Sequence, residues 1–116
     1  RELAIITTAR NFDSDYEWAA HARIASDVGV SKEAIDIVAN REPVSGLSDD
    51  YAVIVQFARE LLDHHRVSDD CFAAVKKRFG ESGAIELTAT VGYYSMIACV
   101  LNATEIKAPD GSPKLP

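Results

Sequence analysis

The chain repeats apolar residues every three or four positions over most of its length, which is the spacing of one helix face. Sustained alternation of apolar and polar residues, the mark of a half-buried strand, is almost absent. Helix start signals recur, because Ser31, Ser48 and Ser68 each precede an acidic residue in what would be a first turn. The pattern predicts an all-α protein of about six helices.

Six segments carry this pattern, and each is bounded by a cap or a breaker. They are the N-terminus to Arg10, Asp13 or Ser14 to Val28, a short segment after Ser31, Ser48 to about His64, Ser68 to Gly80, and about Ser82 to Asn102. The last segment is apolar on most faces, so we expect it to be the central and most buried helix. Pro43 to Leu47 is predicted to be a loop, and the proline-rich residues after Ala108 are predicted to be extended. One domain over residues 1–105 and a tail over residues 106–116 are therefore expected.

Composition and charge narrow the classes of partner. The 116 residues are 47% hydrophobic, which is enough for one core, and their formal net charge is −6. Nucleic acid is not expected as a partner, because phosphate backbones require clustered basic residues and the 12 in this chain are scattered. Leu87 to Leu101 is the longest apolar-rich stretch, and it is too short and too polar to cross a membrane. Neither nucleic acid nor a membrane is therefore expected as a partner.

The N-terminus and the cysteines indicate the compartment. No basic segment followed by an apolar block marks a signal peptide, so we expect a cytoplasmic protein. Cys71 and Cys99 form no Cys-x-x-Cys motif, and we expect two buried thiols rather than a disulfide. Because the chain starts inside a helical pattern without Met, we also expect a natural segment before Arg1.

Glu17 and His21 are the first candidates for chemistry. They lie four residues apart on the second predicted helix, so their side chains should sit one above the other and could share a proton. Their neighbours are mostly apolar, and polar groups in such surroundings need partners. Glu17 would then hold the imidazole ring of His21 in place. The alternative is an ion pair that stabilises the helix by about 0.3–0.5 kcal/mol and does nothing else.

Two weaker candidates lie on later helices. A metal site would need His64 and His65 to join the first pair, but adjacent histidines diverge on a helix, so no metal is expected. Gly92 precedes Tyr93 and Tyr94 inside an apolar helix, where glycine costs about 1 kcal/mol relative to alanine. Such a glycine indicates close approach of another backbone or of a ligand, and packing between helices would explain it equally well.

Part of the chain resembles a known family. Tyr16 to Ile35, reading YEWAAHARIASDVGVSKEAI, resembles the corresponding segment of the carboxymuconolactone decarboxylase-like family. Arg1-Glu2-Leu3 upstream and Glu86 to Asn102 downstream resemble the flanking patterns of that family, so the likeness covers about residues 1–105. The resemblance implies an alkylhydroperoxidase D-like helical fold, no metal or organic cofactor, and a homo-oligomer, often a trimer or hexamer.

The same resemblance identifies residues that have changed. Alkylhydroperoxidase D-like members carry a glutamate, a Cys-x-x-Cys motif whose first cysteine comes twelve residues later, and a histidine four residues after the second cysteine. Those positions hold Glu2, Ser14, Glu17 and His21 in this chain, so both sulfurs are missing. Peroxide reduction by thiols needs a thiolate nucleophile and a resolving thiol. A thiol peroxidase of that kind is therefore not expected.

The decarboxylase branch of the family carries a glutamate at the Glu17 position together with the histidine. That resemblance implies a cofactor-free acid–base enzyme, a decarboxylase or lyase of aromatic compound catabolism acting on a small cyclic acid or lactone. His21 would donate the proton, oriented by Glu17, and Glu2 would tune or relay it. The alternatives are an alkylhydroperoxidase D-like antioxidant protein and a non-catalytic oligomer. The expected substrate-binding residues are Tyr16, Trp18 and Tyr94.

Overall fold

A computed structural model describes residues 1–116 and contains helices but no strands. The helices are α1 (Glu2–Asn11), α2 (Asp15–Asp27), α3 (Lys32–Ala39), α4 (Asp49–His64) and α5 (Asp69–Ala103). A single turn of 3₁₀-helix, Val44–Gly46, lies in the predicted loop between α3 and α4. The all-α prediction is therefore confirmed, with five α-helices where about six were expected.

Serine caps set the starts of three helices, as the sequence predicted. Ser31, Ser48 and Ser68 each accept a hydrogen bond through the side-chain oxygen from the backbone N–H three residues later. Those bonds satisfy one of the four N–H groups that the first turn of a helix leaves without an intrahelical partner. The C-terminal end of α2 is followed by Gly29, which has a φ of +98°, the left-handed conformation that commonly ends a helix.

The predicted fifth and sixth helices are joined into α5. Gly80 is the one residue inside α5 with non-helical angles, at φ +75° and ψ 175°, and it produces a kink there. Next to the kink the chain is tightly packed, because a Cβ on Gly83 would lie 2.5 Å from the Cβ of Phe79. The long segment of α5 therefore comprises residues 81–103.

The prediction that this long segment is the most buried element is wrong, because α1 occupies the centre. Every residue from Leu3 to Ala9 is buried, and α1 contacts each of the other four α-helices. In the long segment only Ala84, Val91 and Ala98 are buried. A helix that is apolar on most faces need not be enclosed by its own chain, and here one of its faces is left uncovered.

Two apolar clusters form the core. The larger contains α1 residues such as Leu3 and Ile6 with Trp18 and Val38, and Leu115 of the tail also packs against it. The smaller contains Phe57, Cys71, Val75 and Ala84 between α4 and α5. The tail itself has no helix or strand after Ala103.

Two predictions from the sequence concern α5, one about the cysteines and one about a membrane span. Cys71 is buried as predicted, but Cys99 is exposed, so the expectation of two buried thiols is wrong for Cys99. By length and composition alone, α5 is the one helix that could cross a membrane, with a mean hydropathy of 1.5 over its most apolar window. That criterion is weak for a single helix, because the buried core helix of a soluble protein also meets it, although only 17% of this window is buried.

Candidate functional site

The site is built at the junction of the first two helices. The chain leaves α1 through a tight turn, in which Asp13 has a φ of +50° and the N–H of Ser14 donates to the carbonyl of Ala9 at 2.9 Å. Ser14 then starts α2 as its N-cap residue. Along α2, Ser14, Glu17 and His21 follow one another at spacings of three and four residues, so they share one stripe of the helix.

Ser14 and Glu17 have the sequence arrangement of a capping box, but the side-chain bonds of that motif are not made. Ser14 is N-cap and Glu17 lies three residues later, where each side chain could bond the backbone N–H of the other residue. Instead, the backbone N–H of Ser14 is taken by Ala9, and the Ser14 side chain makes no cap bond. Both side chains are thereby left free for another use.

These two side chains are buried polar groups without partners. Ser14 is 0% and Glu17 is 2% exposed. The Ser14 Oγ and both carboxyl oxygens of Glu17 make no hydrogen bond. Burial raises the pKa of Glu17 from an ordinary 4.5 to about 7, because the charged form loses its hydration and gains no partner. Native proteins seldom keep such groups, since each unsatisfied polar group costs about 1–3 kcal/mol.

His21 is held by Glu2, and the predicted pair between Glu17 and His21 is not formed. The Nδ1 atom of His21 lies 2.9 Å from Oε1 of Glu2, and their side chains are only 19% and 14% exposed. Glu17 makes no bond to the ring, because neither of its oxygens has a partner. The carboxylate on α1 therefore orients the imidazole across the helix–helix contact, in place of the one that lies a turn earlier on α2.

Tyr94 from α5 closes the other side of His21. The two rings meet edge to face, with centroids 5.2 Å apart and an interplanar angle of 75°. The hydroxyl of Tyr94 accepts a hydrogen bond from Nη2 of Arg1 at 3.1 Å. Three helices thus contribute to the surroundings of His21, and Arg1 is a neighbour that the sequence pattern did not indicate.

The other two predicted substrate-binding residues lie apart from one another. Trp18 is 2% exposed and packs in the larger core cluster, so its ring is enclosed by apolar side chains. Tyr16 is 41% exposed on the outer side of α2. Of the predicted aromatic residues, only Tyr94 is brought against His21.

Two surface clefts lie beside α1, and neither is lined by Glu17 or His21. One, of about 170 Å³, is lined largely by polar residues and includes Arg10, Arg41 and Arg59. The other, of about 420 Å³, is lined by Arg1, Ala4 and residues of α5. Arg1 connects the second cleft to Tyr94, so this cleft adjoins the surroundings of His21.

The thiols and the remaining histidines lie elsewhere. Burial raises the pKa of Cys71 to about 11, and the nearby carboxylate of Glu60 acts in the same direction. Cys71 is thus a poor source of thiolate at neutral pH. His64 and His65 are exposed at the end of α4, and no three His, Cys, Asp or Glu side chains are grouped to hold a metal ion.

Comparison of the chain with models of known families, with curated proteins and with solved structures gave no match.

Proposed function

We propose that this protein is a carboxymuconolactone decarboxylase-like enzyme that moves protons without a cofactor, acting on a small cyclic acid or lactone. The observation that carries the proposal is the stripe of Ser14, Glu17 and His21 on α2. Two of its side chains are buried without any partner, and the third is locked by Glu2 at 2.9 Å. Polar groups arranged in this way are costly for stability and useful for binding or proton transfer.

The chemistry would divide between the two titratable groups of the stripe. Because Glu2 engages Nδ1 of His21, the ring is fixed and Nε2 is the nitrogen left for a substrate. Glu17, with a pKa of about 7, is present in both protonation states at neutral pH, which suits a general acid or base. His21 is the proposed proton donor, and Glu17 the proposed second proton carrier.

A decarboxylation shows how the proton balance would work. The bond between the ring carbon and the carboxylate breaks, CO₂ leaves, and the electron pair passes into the conjugated lactone, where negative charge develops on oxygen. Protonated Glu17 and the Ser14 hydroxyl could donate hydrogen bonds to that oxygen. His21 would then deliver a proton to carbon, which completes the product and leaves His21 to be reprotonated from water.

A purely structural role for the stripe explains less. An ion pair that only stabilised the fold would be expected to satisfy Glu17, but both carboxyl oxygens are unpaired. Thiol peroxidase chemistry is also poorly supported, since Cys71 is buried with a raised pKa and the two positions of the redox motif hold Ser14 and Glu17. We also propose that the substrate is a small molecule and that the protein is a homo-oligomer located in the cytoplasm.

The experiment compares turnover of a muconolactone-type carboxylic acid by wild type, His21→Ala and His64→Ala, following the loss of lactone absorbance. His64→Ala is the matched control, because His64 is exposed at the end of α4 and makes no side-chain hydrogen bond with Ser14, Glu17 or His21. We expect His21→Ala to lower kcat by about 10²–10⁴-fold, the range for loss of a general acid, while His64→Ala behaves as wild type.

Equal turnover by His21→Ala and wild type, at matched folding by circular dichroism, would rule out His21 as the proton donor. A second arm measures peroxide consumption with a dithiol reductant. Activity that disappears on replacing Cys71 and Cys99 would show thiol chemistry and overturn the proposal.

A further inference from the structure

The long segment of α5 carries an apolar face that nothing in the chain covers. Its large apolar side chains are more than half exposed, at 62% for Ile85, 55% for Tyr93, 55% for Met96 and 56% for Val100. Together with Ala89 and Gly92 they recur every three or four residues, so they share one stripe of the helix. These six residues are called the 85–100 face below. Isolated exposed apolar residues are common, but a continuous stripe marks an interaction surface.

Gly92 lies in the middle of the 85–100 face, and packing inside the chain does not explain it. It has helical angles, and a Cβ added there would meet nothing within 4 Å. Glycine destabilises a helix interior relative to alanine, so its presence on an open face calls for a reason. Close approach of a second backbone from outside is such a reason, because a side chain at the crossing point would hold the two helices apart.

The accessible surface area of the whole chain also indicates that part of its surface is covered by a partner. The accessible surface is 6790 Å². A monomeric protein of 12.6 kDa is expected to expose about 6200 Å², so this chain exposes an excess of about 600 Å². Each partner in a standard protein interface buries about 800 Å², which is close to that excess.

We propose that the 85–100 face is the interface of a two-fold dimer in which the long segments of α5 cross in antiparallel orientation. A two-fold axis near Gly92 and Tyr93 would place Ile85 opposite Val100 of the second copy and Ala89 opposite its Met96. Large residues would thus meet at the ends, and at the crossing Gly92 would leave room for Tyr93 of the second copy. The antiparallel choice follows from charge. It places Glu86 opposite the uncharged Cys99 of the second copy and sets Glu81 against an end that carries both Glu105 and Lys107, whereas a parallel pairing would bring two copies of Glu81 and two of Glu86 together.

A membrane surface is a poorer fit for the same face. Helices that bind membranes through an apolar face are usually rich in Lys and Arg on the flanking face. Residues 79–106 contain neither Lys nor Arg, and their charged residues are Glu81, Glu86 and Glu105. An anionic lipid surface would repel this region, as it would the chain as a whole with its net charge of −6.

The proposed interface adjoins the site on α2 through two tyrosines in edge-to-face contact. Tyr93 belongs to the 85–100 face and meets Tyr94 edge to face, with centroids 5.1 Å apart. Tyr94 in turn contacts the ring of His21. Dimerisation would therefore fix Tyr93 and, through it, the wall beside His21, although the interface itself does not depend on the proposed function.

Sedimentation velocity over a range of protein concentrations tests the dimer directly. Met96→Lys puts a charge into the proposed interface, and Val28→Lys is its matched control, since Val28 is 66% exposed at the end of α2, outside the face. Gly92→Leu fills the open space above the helix. We expect wild type and Val28→Lys to be dimers at micromolar concentration, and both interface variants to dissociate at least tenfold more readily. Gly92→Leu should nevertheless keep or raise the helical signal in circular dichroism, which separates loss of the dimer from loss of the fold.

Three results would overturn the proposal. One is a wild type that stays monomeric at every concentration. Another is a stable trimer, or any assembly that Met96→Lys and Gly92→Leu leave unchanged. The third is a monomer that floats with vesicles of mixed phosphatidylcholine and phosphatidylserine and loses this binding in Met96→Lys, because the face would then bind lipid.

Discussion

The partnerless carboxyl of Glu17 makes stability depend on pH in a direction that can be measured. The pKa of Glu17 rises from 4.5 to about 7 on folding, because burial removes the carboxylate from water. The folded state therefore holds the proton more tightly than the unfolded state. Any contribution of Glu17 to stability is fully present below pH 4.5 and is lost as the pH rises through about 7. Glu17→Gln keeps the shape and the polarity of the side chain but cannot ionise, so it should abolish this loss.

The magnitude follows from the two pKa values. Between pH 5 and pH 8 the charged form of Glu17 lowers the free energy of unfolding by about 2–3 kcal/mol. For a chain of this length that corresponds to a change of about 10 °C in Tm. We therefore expect wild type and Glu17→Gln to be similar at pH 5 and the variant to be more stable by that amount at pH 8.

Urea unfolding of both proteins at a series of pH values provides the measurement. All other titrating groups are common to the two proteins, so the difference between their stability curves isolates Glu17. Curves that run parallel from pH 5 to pH 8 would show that the pKa of Glu17 does not change on folding, which would contradict its burial without a partner. A variant that loses stability relative to wild type as the pH rises would contradict the reasoning just as directly.

Three further substitutions test other parts of the structure. Glu2→Gln should cost about 1–3 kcal/mol in urea unfolding, because it weakens the one hydrogen bond that holds the His21 ring at 2.9 Å, and an unchanged midpoint would contradict that bond. Gly80→Ala should destabilise the protein by about 1–3 kcal/mol, since Gly80 has a φ of +75° that L side chains rarely adopt, and a neutral effect would mean that the kink is absent. Cys71 should react with a thiol reagent only after unfolding, because it is buried with a pKa of about 11, and rapid labelling at pH 8 would contradict its place in the core.

Local signals in the sequence predicted the helices well. Serine caps and apolar spacing act within a few residues, so Ser31, Ser48 and Ser68 marked their helix starts correctly. The end of the fifth predicted helix at Gly80 was also marked, although the structure continues through it with a kink. The burial of the last helix could not be predicted from its sequence. An apolar helix has the same sequence pattern whether its apolar face is covered by its own chain or by another chain.

The sequence named the residues of the candidate site but did not predict the contacts that they make. Glu2, Glu17 and His21 were all named from the sequence, and the structure brings Glu2 and His21 together. The partner of His21 was misassigned, since spacing on one helix favours Glu17 and the contact that forms is tertiary, across nineteen residues. Glu17 lacks a hydrogen-bond partner because the backbone N–H of Ser14 donates to the carbonyl of Ala9. That bond depends on the geometry of the turn between α1 and α2, which the sequence pattern did not predict.

The central claim is that the carboxyl group of Glu17 has a pKa near neutral pH and lies one helical turn from His21, whose imidazole ring is held by Glu2. It is tested most directly by ¹³C NMR titration of the Glu17 side-chain carboxyl in the folded protein, with Glu17→Gln used to assign the signal. A midpoint of about pH 7 is the result predicted from its burial without a partner. A midpoint near the ordinary 4.5 would contradict the account, because Glu17 would then be a solvated or paired carboxylate with no role in proton transfer.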